Sequence, residues 1–369
     1  MEETEIQKPM REGHTTGATA TAAMKAALLA LRGEFPPSVT VLSPQNVEIT
    51  VPIEAASVKT GVGTATALKD GGDDLDVTHG TPIVVSVRYR EKIGLELSAG
   101  KGVGTVTKPG LQVAVGRPAI NPGPQIMMQK VYEEFSEGRG IEVTISVPEG
   151  EELAKQTLNP AMGIIGGISI IGTTGIVKPM SEDAYKRSLV PQLSVIKASG
   201  AKVVVLTPGR IGERAASVIG IPTEIVAETS NFIGFMLEQA VAMGFEKILL
   251  IGHMGKLLKV ASGSFHTYNR NSDGRMETMA AYAAANGANA SVVREILSCI
   301  TTDGAAEIIR REHLSVIYPE MAERAEVRAE RYIFGKARVG IIFVSMDGDV
   351  IASSSYAKEL QKEAAWHIV

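Results

Sequence analysis

Apolar positions along this chain follow two rhythms. Between residues 38 and 113 they alternate with polar ones in short runs, SVTVLSP, VEITVPI, TPIVVSVRYR and IGLELSAG, each bounded by Pro or Gly. A period of two, rich in β-branched residues, predicts strands that bury one face. A helix is expected in QIMMQKVYEEFSEG, opened by Asn121-Pro122-Gly123-Pro124, then a strand in IEVTISV. After Ser181 the expected strands, 202–207, 223–228, 247–252 and 339–344, are apolar throughout. They alternate with helical segments around 183–199, after Gly209 and around 231–243. That alternation predicts a largely parallel sheet covered on both faces. The expected architecture is an α+β N-terminal domain over 1–182 and a Rossmann-like α/β C-terminal domain over 183–369.

Residues 1–13 read as a mobile arm. His14-Thr15-Thr16-Gly17 then leads into ATATAAMKAALLALRG, an alanine-rich helix closed by Gly33. Either Thr15 or Thr16 caps this helix, or the turn takes an anion on the free N–H groups. GVGTAT at Gly61 is echoed by GVGTVT at Gly102, which predicts two similar strands in one sheet. Between them KDGGDDLD forms an acidic turn whose spacing does not match a calcium loop. It is a turn, or it offers carboxylates to a substrate, Asp74 and Asp76 being the candidates.

The stretch 159–181, NPAMGIIGGISIIGTTGIVKPMS, is too apolar for a solvated loop and too rich in glycine for a helix. Short buried strands and tight turns are expected, with Thr173, Thr174 and the glycine N–H groups, those of Gly166 and Gly167 among them, facing substrate or cofactor in the cleft between the two domains. The alternative is a packed strand whose glycines permit close backbone approach.

In a doubly wound sheet ligands collect beyond the carboxyl ends of the strands. Those ends are Thr207-Pro208-Gly209-Arg210, Glu228-Thr229-Ser230-Asn231 and Gly252-His253-Met254-Gly255-Lys256. A carboxylate at Glu228 suits ribose hydroxyls, so an adenosine-containing cofactor fits, held by Gly209, Glu228, Ser230, Asn231, Gly252 and Gly255. No GxGxxG follows the first strand, so the usual dinucleotide fingerprint is absent. Downstream, SGSFHTYNRNSDGRME carries His266, Arg270 and Arg275. Lys256, Lys259, Arg270 and Arg275 form a basic set able to clamp carboxylates, though Lys259 and Arg275 also read as solvated helix residues.

Composition narrows the classes. Charge is −4 and aromatics are 5%, which leaves no basic surface or stacking platform for nucleic acid. The single cysteine, Cys299, excludes an internal disulfide framework, fits a reducing cytoplasm and reads as a small buried hydrophobe. No apolar run predicts a membrane span or a signal peptide.

Six motifs in order, GHTTGATATAA, DGGDDLDVT, KGVGTVTKPGL, PAINPGPQ, NPAMGIIGGISIIGTTGIVKPMS and GHMGKLLKVASGSFHT, resemble the cobalt-precorrin-5B C1-methyltransferase family (CbiD) of anaerobic cobalamin biosynthesis. The resemblance implies methyl transfer from S-adenosylmethionine to C1 of cobalt-precorrin-5B, giving cobalt-precorrin-6A. It implies a cobalt-corrinoid intermediate as partner, with cobalt belonging to the substrate and no protein-bound metal. Neighbouring pathway enzymes and a second copy of the chain are further candidate partners. Catalytic candidates are His253, His266, Asp74 and Asp76. Candidates for the substrate's carboxylate arms are Thr15, Thr16, Gly166, Gly167, Thr173, Thr174, Lys256 and Arg270. Two alternatives remain: a corrinoid carrier without catalysis, and a phosphate-handling enzyme, for which a GxxxxGK[ST] loop is missing.

Overall fold

The computed structural model describes residues 10–364 and residue 366. Most of the expected arm, residues 1–9, lies outside them. Its remainder is tied down: the Arg11 N–H donates to Asp73 Oδ2 at 2.6 Å, and Gly13–His14 pairs with Ile176–Val177. The chain divides after Asp183 into two compact units.

The first unit runs β1 (Gly13–His14), α1 (Thr16–Leu31), β2 (Ser38–Leu42), β3 (Glu48–Pro52), β4 (Ala55–Lys59), β5 (Val62–Leu68), β6 (Pro82–Arg90), β7 (Leu95–Ala99), β8 (Gly102–Val103) and β9 (Thr105–Val106). It continues with α2 (Pro122–Phe135), β10 (Gly140–Ser146), α3 (Gly150–Ala154), β11 (Ile164–Ile165), β12 (Gly167–Ile168) and β13 (Ile176–Val177). Five strands form a sheet in the order β4-β5-β6-β10-β7, antiparallel except for β10 against β7. Their alternating inner residues, among them Ala65, Val85, Val87, Val143 and Ile145, meet α1 in one core. This helix has small residues on every side and is buried on nearly every side, as an all-round apolar helix must be. Its small side chains allow close approach: a Cβ on Gly63 of β5 would stand 2.2 Å from the Ala27 carbonyl oxygen. The buried Thr19 and Thr21 hydroxyls donate to the carbonyls of Thr15 and Gly17, so neither is left unsatisfied.

Two expectations change here. The echoed GVGT segments do not share a sheet. The first is β5 of the large sheet; the second splits into β8 and β9, which pair with β12 and β11 respectively. The stretch 159–181 forms short strands and turns, but its isoleucines alternate. Ile164, Ile168 and Ile170 are buried, whereas Ile165 is 62% and Ile171 50% exposed. Two-residue strands cannot bury both faces, so every second side chain is turned out.

The second unit carries α4 (Glu182–Ala198), β14 (Val203–Thr207), α5 (Arg210–Val218), β15 (Val226–Glu228), α6 (Ile233–Ala242), β16 (Lys247–His253) and α7 (Met254–Ser262). A helical layer follows, α8 (Arg275–Ala285), α9 (Ala290–Leu297), α10 (Thr302–Arg311) and α11 (Ile317–Tyr332), before β17 (Arg338–Val344), β18 (Val350–Ser353) and α12 (Ser355–Ala364). The sheet order is β15-β14-β16-β17-β18. The first four strands are parallel, and the 345–349 turn returns β18 antiparallel. One face buries Val205, Leu249, Ile251, Ile342 and Val344 against α5 and α12. The expected strand over 223–228 is shorter, because residues 223–225 form one 3-10 turn. Cys299 lies just past α9 and is half-buried rather than buried in a helix.

Candidate functional site

In the first unit the site grows from the start of α1. Thr15 caps the helix, accepting from the Ala18 N–H at 3.2 Å. Thr16 accepts from the Ile171 N–H at 2.9 Å, and Gly17 N–H donates to the Ile171 carbonyl at 2.9 Å. Helix start and Gly-rich stretch are thereby fastened together. Beside them lies a cavity of about 200 Å³ lined by Thr15, Lys69, Asp76, Thr78, Asn159 and Ser169, among others. Lys69 is 1% exposed and donates to Asp76 Oδ2 at 2.6 Å. Asp76 Oδ1 accepts from the Thr78 N–H and hydroxyl at 2.8 and 2.6 Å. Burial pushes the Asp76 carboxyl up, but these bonds outweigh it and hold the group below the usual carboxylate range.

The acidic turn is a set of four separate grips. Asp70 pairs with the Arg11 guanidinium, whose hydrogen bonds hold that carboxyl far below its ordinary range. Asp73 takes the Arg11 backbone, Asp74 Oδ1 accepts from the Met180 N–H at 2.9 Å, and Asp76 holds Lys69. Asp74 and Asp76 thus each have a partner in place.

His14, Lys69 and Asn159 were not singled out by sequence reasoning. A lysine at a strand end reads as solvated, and nothing in the pattern marks this one as buried. His14 Nδ1 lies 2.8 Å from Thr19 Oγ1, whose proton is directed to the Thr15 carbonyl, so the ring nitrogen is the donor. Burial pushes His14 down to about 4, with Lys69 and Arg11 acting the same way and Asp70 opposing. The Asn159 amide is buried and bonds the Gly167 carbonyl and the Ser169 hydroxyl.

The Gly-rich stretch divides between roles. A Cβ on Gly167 would meet the Gly102 carbonyl at 2.0 Å, so close backbone approach requires glycine there. Gly166 has φ +88 and open space around it. Thr173 and Thr174 are exposed, and the Thr174 hydroxyl turns back to the Ile176 carbonyl at 3.0 Å. The N–H groups of Ile164, Ile170 and Ile171 are taken by protein acceptors rather than turned to solvent.

In the second unit the strand ends do assemble. Lys256 Nζ donates to the Pro208 carbonyl at 2.8 Å, tying the start of α7 to the turn after β14. Burial draws the Lys256 ammonium down while Glu228 opposes the shift. Burial raises the Glu228 carboxyl, with Glu213 adding to it and Lys256 and Arg210 opposing. Gln192 clasps the Glu228 backbone on both sides, accepting its N–H at 2.9 Å. A Cβ added to Gly209, at φ +154, would meet nothing within 4 Å, whereas a Cβ on Gly252 would strike the Pro208 ring at 2.6 Å. Ser230 adopts φ +50, and the Asn231 carbonyl accepts the Thr267 N–H at 2.9 Å.

His253 ends β16 and caps α7: its Nδ1 accepts from the Gly255 N–H at 3.2 Å. The neutral ring therefore carries its proton on Nε2, which is buried 3.8 Å from Asp303, beyond hydrogen-bond range. Burial lowers the pKa of His253. His266 stands edge-on to Phe232 at 5.3 Å, with Asn271 at 2.9 Å from Nδ1. Lys259 is not solvated; it is 1% exposed and bonds the Thr267 carbonyl and Asn269 Oδ1, fixing the loop that carries His266. Arg275 is paired with Asp273, and Arg270 is exposed on the turn.

A family model described as CbiD matches residues 3–179, and one described as CbiD, C-terminal domain, matches residues 266–355. This chain belongs to the CbiD family. Among its relatives, a protein of Moorella thermoacetica named cobalt-precorrin-5B C(1)-methyltransferase is 45% identical over 96% of this chain and 98% of its own length. One of the same name from Desulfitobacterium hafniense is 42% identical over 97% of this chain and 93% of its own. A crystal structure of a cobalamin biosynthesis protein (cbiD) from Archaeoglobus fulgidus aligns at 28% identity with a TM-score of 0.37, covering 73% of this chain and 84% of that one. The first CbiD match contains the acidic turn and most of the Gly-rich stretch. The second holds the helical layer and β17.

Proposed function

We propose that this chain is an S-adenosylmethionine-dependent methyltransferase acting on C1 of cobalt-precorrin-5B to give cobalt-precorrin-6A. The observation that carries the reading is the 45% identity to a relative of that name over 96% of the chain. The compartment is the cytoplasm, in keeping with the lone free thiol of Cys299.

We assign the methyl donor to the strand ends of the second unit, read as a Rossmann-like domain. The residues present fit an adenosine group: a half-buried carboxylate at the end of β15, an open left-handed glycine after β14, and a lysine bracing that turn. When bound, the donor supplies a sulfonium methyl, which an electron-rich macrocycle carbon takes in line while the breaking bond's electron pair stays on sulfur. The protein's part is alignment and exclusion of water. Glu228 receives ribose hydroxyls, and Gln192 fixes its backbone. Gly209 leaves room for the ligand, Gly252 lets the Pro208 ring pack against the strand end, Lys256 holds the turn, and Ser230, Asn231 and Gly255 shape the walls. His253, with its proton on Nε2, is a hydrogen-bond donor in its neutral form. His266 borders the same unit's aromatic cluster. Asp74 and Asp76 act by holding Met180 and Lys69. The first unit's cavity, with the Thr16 and Ser169 hydroxyls and Asn159, accommodates a carboxylate arm of the corrinoid.

Calorimetric titration with S-adenosylhomocysteine tests the assignment. Binding to the native protein is expected, with loss of about tenfold or more in Glu228→Ala if one charge-assisted contact is removed. Macrocycle binding without transfer of a labelled methyl group would favour the carrier instead.

A further inference from the structure

The second unit has a cavity unconnected with any residue singled out above except those of the SGSFHT motif. It is about 600 Å³ and is lined by Glu238, Gly263, Phe265, Arg324, Val327, Arg328, Arg331, Tyr332 and Phe334. We propose that it binds a carboxylate-bearing edge of a tetrapyrrole, two or more arms on the arginines and the ring edge on the aromatic wall. This rests on the functional reading above and gives it a substrate site that the motifs do not reveal.

The arginines stand at 324, 328 and 331, spacings of four and three that put them on one face of α11. Among the described residues none of the three has a carboxylate within ion-pair distance. Arginines elsewhere on this surface, such as Arg311 with Glu295 and Arg338 with Glu330, are paired. Arg328 Nε is buried and without a hydrogen-bond partner. Its guanidinium lies over Gly263, where a Cβ would sit 2.4 Å from one terminal nitrogen, and Gly263 itself has φ +98. The motif's glycine thus makes room for the guanidinium. Glu238, the acidic residue of the lining, interacts with the Tyr332 hydroxyl. Three unpaired guanidiniums in one recess favour an anion with several carboxylates.

The other wall is apolar and flat. Phe265 and Tyr332 stack with centroids 4.0 Å apart. A Cβ on Gly234 would meet the Tyr332 hydroxyl at 2.7 Å and Phe265 Cβ at 2.8 Å, so a glycine lets this pair settle. At the rim Phe334 is 86% exposed at φ +57, and Val327 is 54% exposed. A bulky aromatic in the left-handed region, just past a helix end where glycine is the natural choice, is strained. Such strain with full exposure has no packing return in the free protein; a ligand covering the ring supplies one.

The probe is cobyrinic acid, a stable corrinoid with free carboxylate arms, against dicyanocobinamide, whose arms are amidated. Affinity is read by the change in corrinoid absorbance at low and high salt. The native protein is expected to prefer cobyrinic acid, the preference shrinking with salt. Arg328→Gln with Arg331→Gln is expected to weaken cobyrinic acid binding by about ten- to a hundredfold and abolish the preference. Phe334→Gly is expected to weaken it severalfold while Tm holds or rises, since glycine relieves the strain. These variants binding like the native protein, with Tm unchanged, would overturn the site alone. A native protein that binds neither corrinoid would overturn the functional reading with it. Arginine-dependent binding of an oligoglutamate peptide without corrinoid binding would replace the site with a protein-docking surface.

Discussion

His14 is a neutral histidine in a charged neighbourhood. Its folded pKa of about 4 lies below the ordinary 6.5, so between those values the unfolded chain binds more protons and stability falls as pH drops. The full effect is at most about 3 kcal/mol for a drop across that window. His14→Asn keeps a donor for Thr19 and should flatten urea-unfolding stability between pH 6.5 and 4 relative to the native protein. Lys69 poses the opposite problem, a charge that is always buried. Asp76→Ala removes its counterion and is expected to cost about 3–5 kcal/mol, read from the urea midpoint. Adding Lys69→Met should recover part of that loss, because no orphan charge is left. At Glu228 the raised carboxyl titrates above the usual glutamate range. Donor affinity should accordingly fall as pH drops through that raised value, and the fall should vanish in Glu228→Gln. A pH-independent affinity in the native protein would remove this carboxylate from the donor site.

At the scale of elements, glycines decide where backbones meet. Gly63→Val would push a branched side chain onto the Ala27 carbonyl, and overpacking of this kind costs about 1–3 kcal/mol or more. Gly167→Val faces a backbone oxygen that has no rotamer to yield with, so loss of folding is expected in circular dichroism. Thr174→Val is different. The residue is exposed and its hydroxyl only closes a local turn, so stability should change by less than about 1 kcal/mol. Weaker corrinoid binding in that folded variant would mark the turn as a ligand contact; unchanged binding would leave it a packing feature.

At the scale of the molecule, the two units each have their own core. Donor at a hundred times its Kd stabilises the state that binds it by about 2.7 kcal/mol. Scanning calorimetry is expected to show that stabilisation in the transition of the second unit, and to lose it in Glu228→Ala. Strand and helix positions were largely legible because periods of two and 3.6 report which faces are buried. The alanine-rich α1 was legible from helix propensity instead, and its stop from Gly33, which adopts φ +83. The echo at Gly102 misled, since an isolated GVGT carries no record of which strand it will pair with. The candidate sites were read only in part. Glu228 and Lys256 could be placed together because strand ends of a parallel sheet share one edge. The ordered motifs, likewise, determined the family. Burial of Lys69 and Lys259 and the separate grips of Asp70, Asp73, Asp74 and Asp76 were decided by tertiary structure alone. So was the recess of Arg324, Arg328 and Arg331 behind Gly263. Each depends on which distant backbone arrives beside a side chain, and local hydrophobic pattern, which sets elements and faces, contains no information on that.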